Sequence, residues 1–152
     1  ETETKSKIDI DSKEGDVIIT GKEPITLFAL KEVIKAISRG FNPDLAKLLL
    51  KQDYVLEVIS LNDYSKEKSH QQRLKGRVIG ADGKSRTTIE DLTDCYISVY
   101  GKTISMVGTV EMIGICKRAV ETLLSGSPHA NVYKWLERQK KSMKKTAIGE
   151  GF

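Results

Sequence analysis

The stretch Val78-Ile79-Gly80-Ala81-Asp82-Gly83-Lys84-Ser85-Arg86 ends like a nucleotide-binding P-loop. A P-loop needs a first glycine, four residues and then Gly-Lys-Ser/Thr, so that the backbone N–H groups curl around two phosphates. Counting back from Gly83 puts Val78 where that first glycine belongs. A β-branched residue there resists the backbone geometry and keeps phosphate at a distance. The spacing therefore argues against a P-loop. What remains is Gly-x-x-Gly followed at once by Lys84 and Arg86.

The charge distribution around this stretch is segregated. The chain of 152 residues carries a formal net charge of only +4. Residues 66–86, however, hold seven Lys/Arg against two acids, and residues 134–145 hold six against one. These windows amount to +10, which leaves −6 for the rest. Such segregation is the footprint of a polyanion binder, with a solvated charge run as the alternative.

Other function classes find little support. Cys95 and Cys116 are too far apart for a CxxC motif and read as reduced core residues. The two histidines, His70 and His129, lie in unrelated segments, so neither a zinc site nor a nucleophilic triad assembles. Glu90, Asp91 and Asp94 read as a solvated helix face rather than as paired catalytic carboxylates. No cofactor is implied. No apolar run reaches the roughly 20 residues that span a bilayer, and no charged-then-apolar leader opens the chain, so a cytoplasmic protein without a membrane partner is expected. Because the first residue is Glu1 rather than Met, the chain is expected to begin inside a longer protein.

Periodicity outlines the elements. Residues 7–11 (KIDID) and 16–20 (DVIIT) read as a hairpin, followed by a helix with Pro24 in its first turn, apolar Ile25, Phe28, Leu30, Val33, Ile34 and Ile37, and Gly40 at its stop. Asn42-Pro43-Asp44 caps a short helix reaching about Lys51, and residues 54–61 (YVLEVISL) read as a strand. A helix over about 66–78, the glycine loop and a helix over 84–93 follow. Residues 95–100 and 103–107 then form a tighter hairpin, with a helix from about Thr109 to Leu124 that stops at Gly126.

The two hairpin-plus-helix segments are an internal repeat. Ile8 and Ile10 match Ile97 and Val99, Ile19 matches Met106, and Gly21 and Gly40 match Gly108 and Gly126. Only the second copy has its front half, giving the order β, α, α, β, β, α: an α+β unit with a three-stranded antiparallel sheet and helices on one face. The expected division is 1–40 for the back portion of a first unit, 41–53 for a connecting helix, 54–126 for the complete second unit and 127–152 for a basic C-terminal helix and tail. In that helix Val132, Trp135, Leu136 and Met143 share one side, and Trp135 is expected to dock onto a sheet or a partner.

Ile79-Gly80-Ala81-Asp82-Gly83-Lys84 between two short helices, followed by a hairpin and a long helix, resembles a type I (eukaryotic-type) KH domain with its GxxG loop intact. The tandem arrangement and the tail from Gly126-Ser127-Pro128-His129 through Trp135-Leu136 resemble, more narrowly, the archaeal and eukaryotic Dim-two-like (Pno/Krr-type) KH proteins. This resemblance covers essentially the whole chain. It implies single-stranded RNA binding near the 3′ end of small-subunit rRNA, in ribosome assembly and maturation and not as an enzyme. It further implies work beside the maturation nuclease and the rRNA dimethyltransferase, and a link to the alpha subunit of translation initiation factor two.

The residues suggest how RNA would be held. Gly80 and Gly83 let a sugar-phosphate chain approach the backbone of Ala81 and Asp82, and the helix starting at Lys84 turns its free N–H groups toward the same phosphates. Lys84, Arg86, Arg73, Lys75 and Arg77 add charge. Ile79 beside the loop, and Tyr96 and Ser98 on the strand, are candidates for base contact. Val78, Ile89, Ile97 and Val99 read first as core. Asp82 places an anion beside the phosphate path. The alternative reading is therefore a protein–protein scaffold with a degenerate loop, linking ribosome-assembly or translation-initiation proteins.

Overall fold

A computed structural model describes residues 6–11 and 16–150. Strands β1 (Lys7–Asp11) and β2 (Asp16–Thr20) pair antiparallel, and the loop of that expected hairpin lies outside the described residues. Helix α1 (Pro24–Ser38) begins with proline at its first position, where the missing N–H has no intrahelical partner to lose, and ends before Gly40 at φ +95°. Asn42 accepts a hydrogen bond from the Asp44 N–H at 2.8 Å, capping α2 (Pro43–Ala46), which tightens into a 3₁₀ turn over Lys47–Leu50.

Then come β3 (Tyr54–Ser60), α3 (Lys68–Ile79), α4 (Lys84–Thr93), β4 (Tyr96–Tyr100), β5 (Thr103–Thr109) and α5 (Val110–Leu124). A 22-residue helix, α6 (His129–Glu150), closes the described chain. The sheet has the order β3-β5-β4, antiparallel throughout, so β4 is an edge strand.

Alternation along the strands gives the sheet two distinct faces. Ile97, Ile104, Met106 and Ile59 face a core completed by Leu74 and Val78 of α3, Ile89 of α4 and Cys116, Val120 and Leu123 of α5. Val107, Tyr54 and Leu56 face the other way, against Val33 and Ala36 of α1, Phe41, Ala46 and Leu49. Helices therefore cover both faces. Those on the second face come from the segment before the complete unit.

The two halves of the repeat share geometry as well as sequence. Ile8 pairs with Ile19 across the first hairpin, and Ile97 with Met106 across the second. Gly21 lies against Ser6, where a Cβ would come within 2.8 Å of Oγ, and Gly108 lies so close to Cys95 that a Cβ would overlap its sulfur. Ser6 and Cys95 each sit two residues before the matched isoleucines Ile8 and Ile97. The matched glycines thus serve one packing requirement at both hairpin ends.

Two points are decided only in three dimensions. Ile25 and Phe28, which recur with the other apolar residues at helical spacing, are nevertheless 79% and 66% exposed, because α1 turns Leu30, Val33 and Ala36 inward instead. Trp135 docks, but onto helices and not onto a sheet: α6 packs on α4 and α5, burying Val132 and Leu136, and the Arg118 guanidinium lies 5.2 Å from the Trp135 ring centroid. No helix among the described residues is long and apolar enough to cross a membrane.

Candidate nucleic-acid interface

The glycine loop is a tight connection with three residues at positive φ. Gly80 closes α3 at φ 75°, ψ 174°, and Asp82 (φ 54°) and Gly83 (φ 73°) both adopt the left-handed conformation before α4 begins at Lys84. Aspartate is among the few non-glycine residues that visit this region readily, so Asp82 is accounted for by backbone geometry independently of its charge. Ala81 and Asp82 are exposed, and nothing lies within 4 Å of where a Gly83 Cβ would be. The loop backbone is thus open to solvent at the N-terminal end of α4, where unsatisfied N–H groups and the helix dipole favour an anion.

Around this end the expected cations divide. Lys84 and Arg73 are exposed, and Lys75 is half-buried on α3. Arg77 is engaged elsewhere: its Nε donates to the Leu123 carbonyl at 2.8 Å and its terminal nitrogen to the Ser127 carbonyl. The His129 ring in turn contacts the Arg77 carbonyl at 2.8 Å. Arg77 therefore joins α3 to the end of α5 and the start of α6, and it keeps its positive charge because both acceptors are neutral carbonyls.

Ser98 is engaged as well. Its hydroxyl donates to the Arg39 carbonyl at 2.8 Å, on the sheet face covered by the preceding segment and away from the helices that carry the loop. Tyr96 shares that strand face but is 40% exposed at the sheet edge. Ile79 is half-buried beside the loop, whereas Val78, Ile89 and Ile97 are core.

Glu90 departs from the expected solvated face. Asp91 and Asp94 are exposed, as a solvated face requires, but Glu90 is half-buried between α4 and β4. Its Oε2 accepts from the Ile97 N–H at 3.1 Å, and its Oε1 lies 3.6 Å from Arg86 Nε. Burial raises the Glu90 carboxyl above its ordinary value, and the Ile97 hydrogen bond and Arg86 oppose that rise in part. The i,i+4 spacing of Arg86 and Glu90 was the available signal.

Cys95 and Cys116 are free and buried in the core. The neighbouring Cys95 thiol, together with burial, pushes the Cys116 thiol up. No group of three or more potential metal ligands occurs among the described residues.

Residues 55–141 match the model of the second PNO1-type domain, described as a eukaryotic type KH-domain (KH-domain type I). The chain is 46% identical over 149 residues to a KH domain-containing protein of Methanocaldococcus jannaschii, covering 95% of this chain and 65% of that protein. It is 30% identical to the pre-rRNA-processing protein pno1 of Aspergillus fumigatus, covering 75% of this chain and 46% of that one. The chain thus spans less than two thirds of the length of these curated relatives. Among solved structures it is similar to one from Pyrococcus horikoshii, a complex of a/eIF2alpha, aDim2p and rRNA, with a TM-score of 0.86 and 41% identity over 93% of this chain and 80% of that one. With the β, α, α, β, β, α order, the open loop of Gly80–Gly83 and this match together, the chain belongs to the PNO1-type family of type I KH-domain proteins.

Proposed function

We propose that this chain binds single-stranded RNA near the 3′ end of small-subunit rRNA and acts in ribosome assembly and maturation, as a non-catalytic cytoplasmic protein. The observation that carries the reading is the loop. Gly80–Gly83 leaves its backbone open at the N-terminus of α4, with Lys84 and Arg73 exposed nearby, which suits a clamp on a few successive phosphates. Ala81, Asp82, Lys84, Arg86, Lys75 and Arg73 are the proposed positioning contacts, with Ile79 and Tyr96 at the base side. Residues 54–126 form the RNA-binding unit in this reading, 1–40 the back portion of a preceding one, 41–53 the connection and 127–152 the C-terminal extension.

A second activity, docking of proteins, is favoured by the exposed Ile25 and Phe28 on α1, a helix that packs on the sheet face opposite α3 and α4, and these residues are apolar where RNA would need charge. The partners proposed for it are the alpha subunit of translation initiation factor two, the maturation nuclease and the rRNA dimethyltransferase.

The test is a titration of the chain and its Ala81→Asp variant against single-stranded RNA from the rRNA 3′ terminus and a scrambled control, at two salt concentrations. The expected result is preferential binding whose logarithmic salt slope is about −0.7 per contacted phosphate, lost in the variant while its fold is retained. Equal affinity of both proteins for both RNAs would remove the loop from the mechanism.

A further inference from the structure

Helix α6, with 22 residues, is about 33 Å long, roughly twice the length of α4, on which it packs. Its inner side holds it to the fold: Val132 and Leu136 are buried and Met143 is half-buried. On the opposite side Lys134, Arg138, Lys141 and Lys145 recur at i, i+4, i+7 and i+11, which sets four cations in one line. All four are exposed, and residues 144–149 are exposed without exception.

This line is not neutralised within the chain. Among the described residues no ion pair involves these four cations or Lys140 and Lys144, although Glu137 stands three or four residues from Lys134, Lys140 and Lys141. Arg138 Nε reaches only the Lys134 carbonyl, at 3.4 Å. Lys134 with Arg138, Lys141 with Lys145 and Lys140 with Lys144 are like-charge i,i+4 pairs, which weaken the helix that carries them. A polyanion laid along the line would relieve that repulsion.

The start of α6 adjoins the loop end of α3, where the His129 ring contacts the carbonyl of Arg77, three residues before Gly80. Charge leading away from this point suits RNA that continues beyond the segment at the loop. Single strands are held by stacking on aromatic rings as well as by charge. The rings of α6 are not on the line: Tyr133 and Trp135 are half-buried, and the Arg118 guanidinium lies over Trp135. The line offers charge alone on a straight support, which suits the backbone of paired RNA, whose bases already stack on one another.

We propose that the outward face of α6 is a second RNA site, separate from the glycine loop, on which Lys134, Arg138, Lys141 and Lys145 hold phosphates of a double-helical stem adjoining the single-stranded segment. The site supplies affinity and orientation without reading sequence. The inference rests on the RNA-binding reading above.

The test compares the single-stranded rRNA 3′-terminal RNA with the same RNA carrying a hairpin stem of arbitrary sequence at its 5′ end. Each is titrated against the wild type and a variant combining Lys134→Gln, Arg138→Gln, Lys141→Gln and Lys145→Gln. The wild type is expected to bind the stem-bearing RNA about tenfold more tightly, with a salt slope steeper by about 0.9 for each duplex phosphate neutralised. A stem of unrelated sequence should serve equally. The variant should lose that gain yet keep wild-type affinity for the single strand, which also establishes that it folds. Amide hydrogen exchange over residues 138–148 should slow with the stem-bearing RNA and not with the single strand. No gain from the stem in the wild type, or a variant that retains the whole gain, would overturn the inference, leave the loop reading intact and leave α6 to an acidic protein surface. A variant weakened equally toward both RNAs would overturn it too, by placing α6 on the single strand. Absence of wild-type binding to either RNA would overturn the RNA reading and this inference with it.

Discussion

Gly80 and Ser85 are in contact across the glycine loop: a Cβ on Gly80 would lie 2.6 Å from the Ser85 Cβ and 2.8 Å from its backbone nitrogen. The two loop glycines therefore have different tasks. Gly80 combines φ 75° and ψ 174°, a region essentially reserved for glycine, with a steric requirement, whereas Gly83 has only a left-handed φ and open space beside it. Gly80→Ala should cost about 2–3 kcal/mol of unfolding free energy, and Gly83→Ala about 1 kcal/mol. Urea denaturation of both variants checks this, and equal losses would contradict the packing distinction.

Asp82 holds its left-handed conformation, which asparagine also tolerates. Asp82→Asn should preserve the loop while removing an anion about 5 Å from the proposed phosphate path. That relieves roughly 1 kcal/mol of repulsion, equivalent to about fivefold tighter RNA binding at low salt. Unchanged affinity across a salt series would place phosphate farther from the loop.

Arg77 links three elements through the Leu123 and Ser127 carbonyls. Loss of two charge-assisted hydrogen bonds in Arg77→Ala should lower stability by about 2–3 kcal/mol. The salt slope of RNA binding should not change, whereas Lys84→Ala should reduce its magnitude by about 0.7. A reduced slope for Arg77→Ala under conditions where the variant is fully folded would return Arg77 to the interface.

Glu90 sets a pH dependence. Its carboxyl is raised by burial above the usual 4.5, so as pH falls from neutral the folded chain takes up this proton before the unfolded chain does. The resulting stability contribution is fully present below the unfolded value and is lost as pH rises through the folded one. Relative to Glu90→Gln, the wild type should therefore gain stability as pH is lowered from 7 to 4.5, as read from paired urea melts. A pH-independent difference would show that the carboxyl is not shifted.

The element order was legible in the sequence because its signals are local: Pro24 and Gly40 bound α1, alternation marks β3 to β5, and the glycines of the loop start and stop helices within a few residues. The repeat was legible for the same reason, since Ile8 with Ile19 and Ile97 with Met106 are hairpin neighbours. Side-chain tasks were not. The partners of Arg77 at Leu123 and of Ser98 at Arg39 lie 46 and 59 residues away, and which cation or hydroxyl is engaged depends on how α5 and α1 pack. Glu90 differs from Asp91 and Asp94 only in pointing at β4, and a run of acids carries no sign of that direction. Sequence thus determined the fold and the exposed loop through short-range chemistry. Tertiary structure decided which polar groups remain available to a ligand, because a buried donor or acceptor must find a partner wherever the packing brings one.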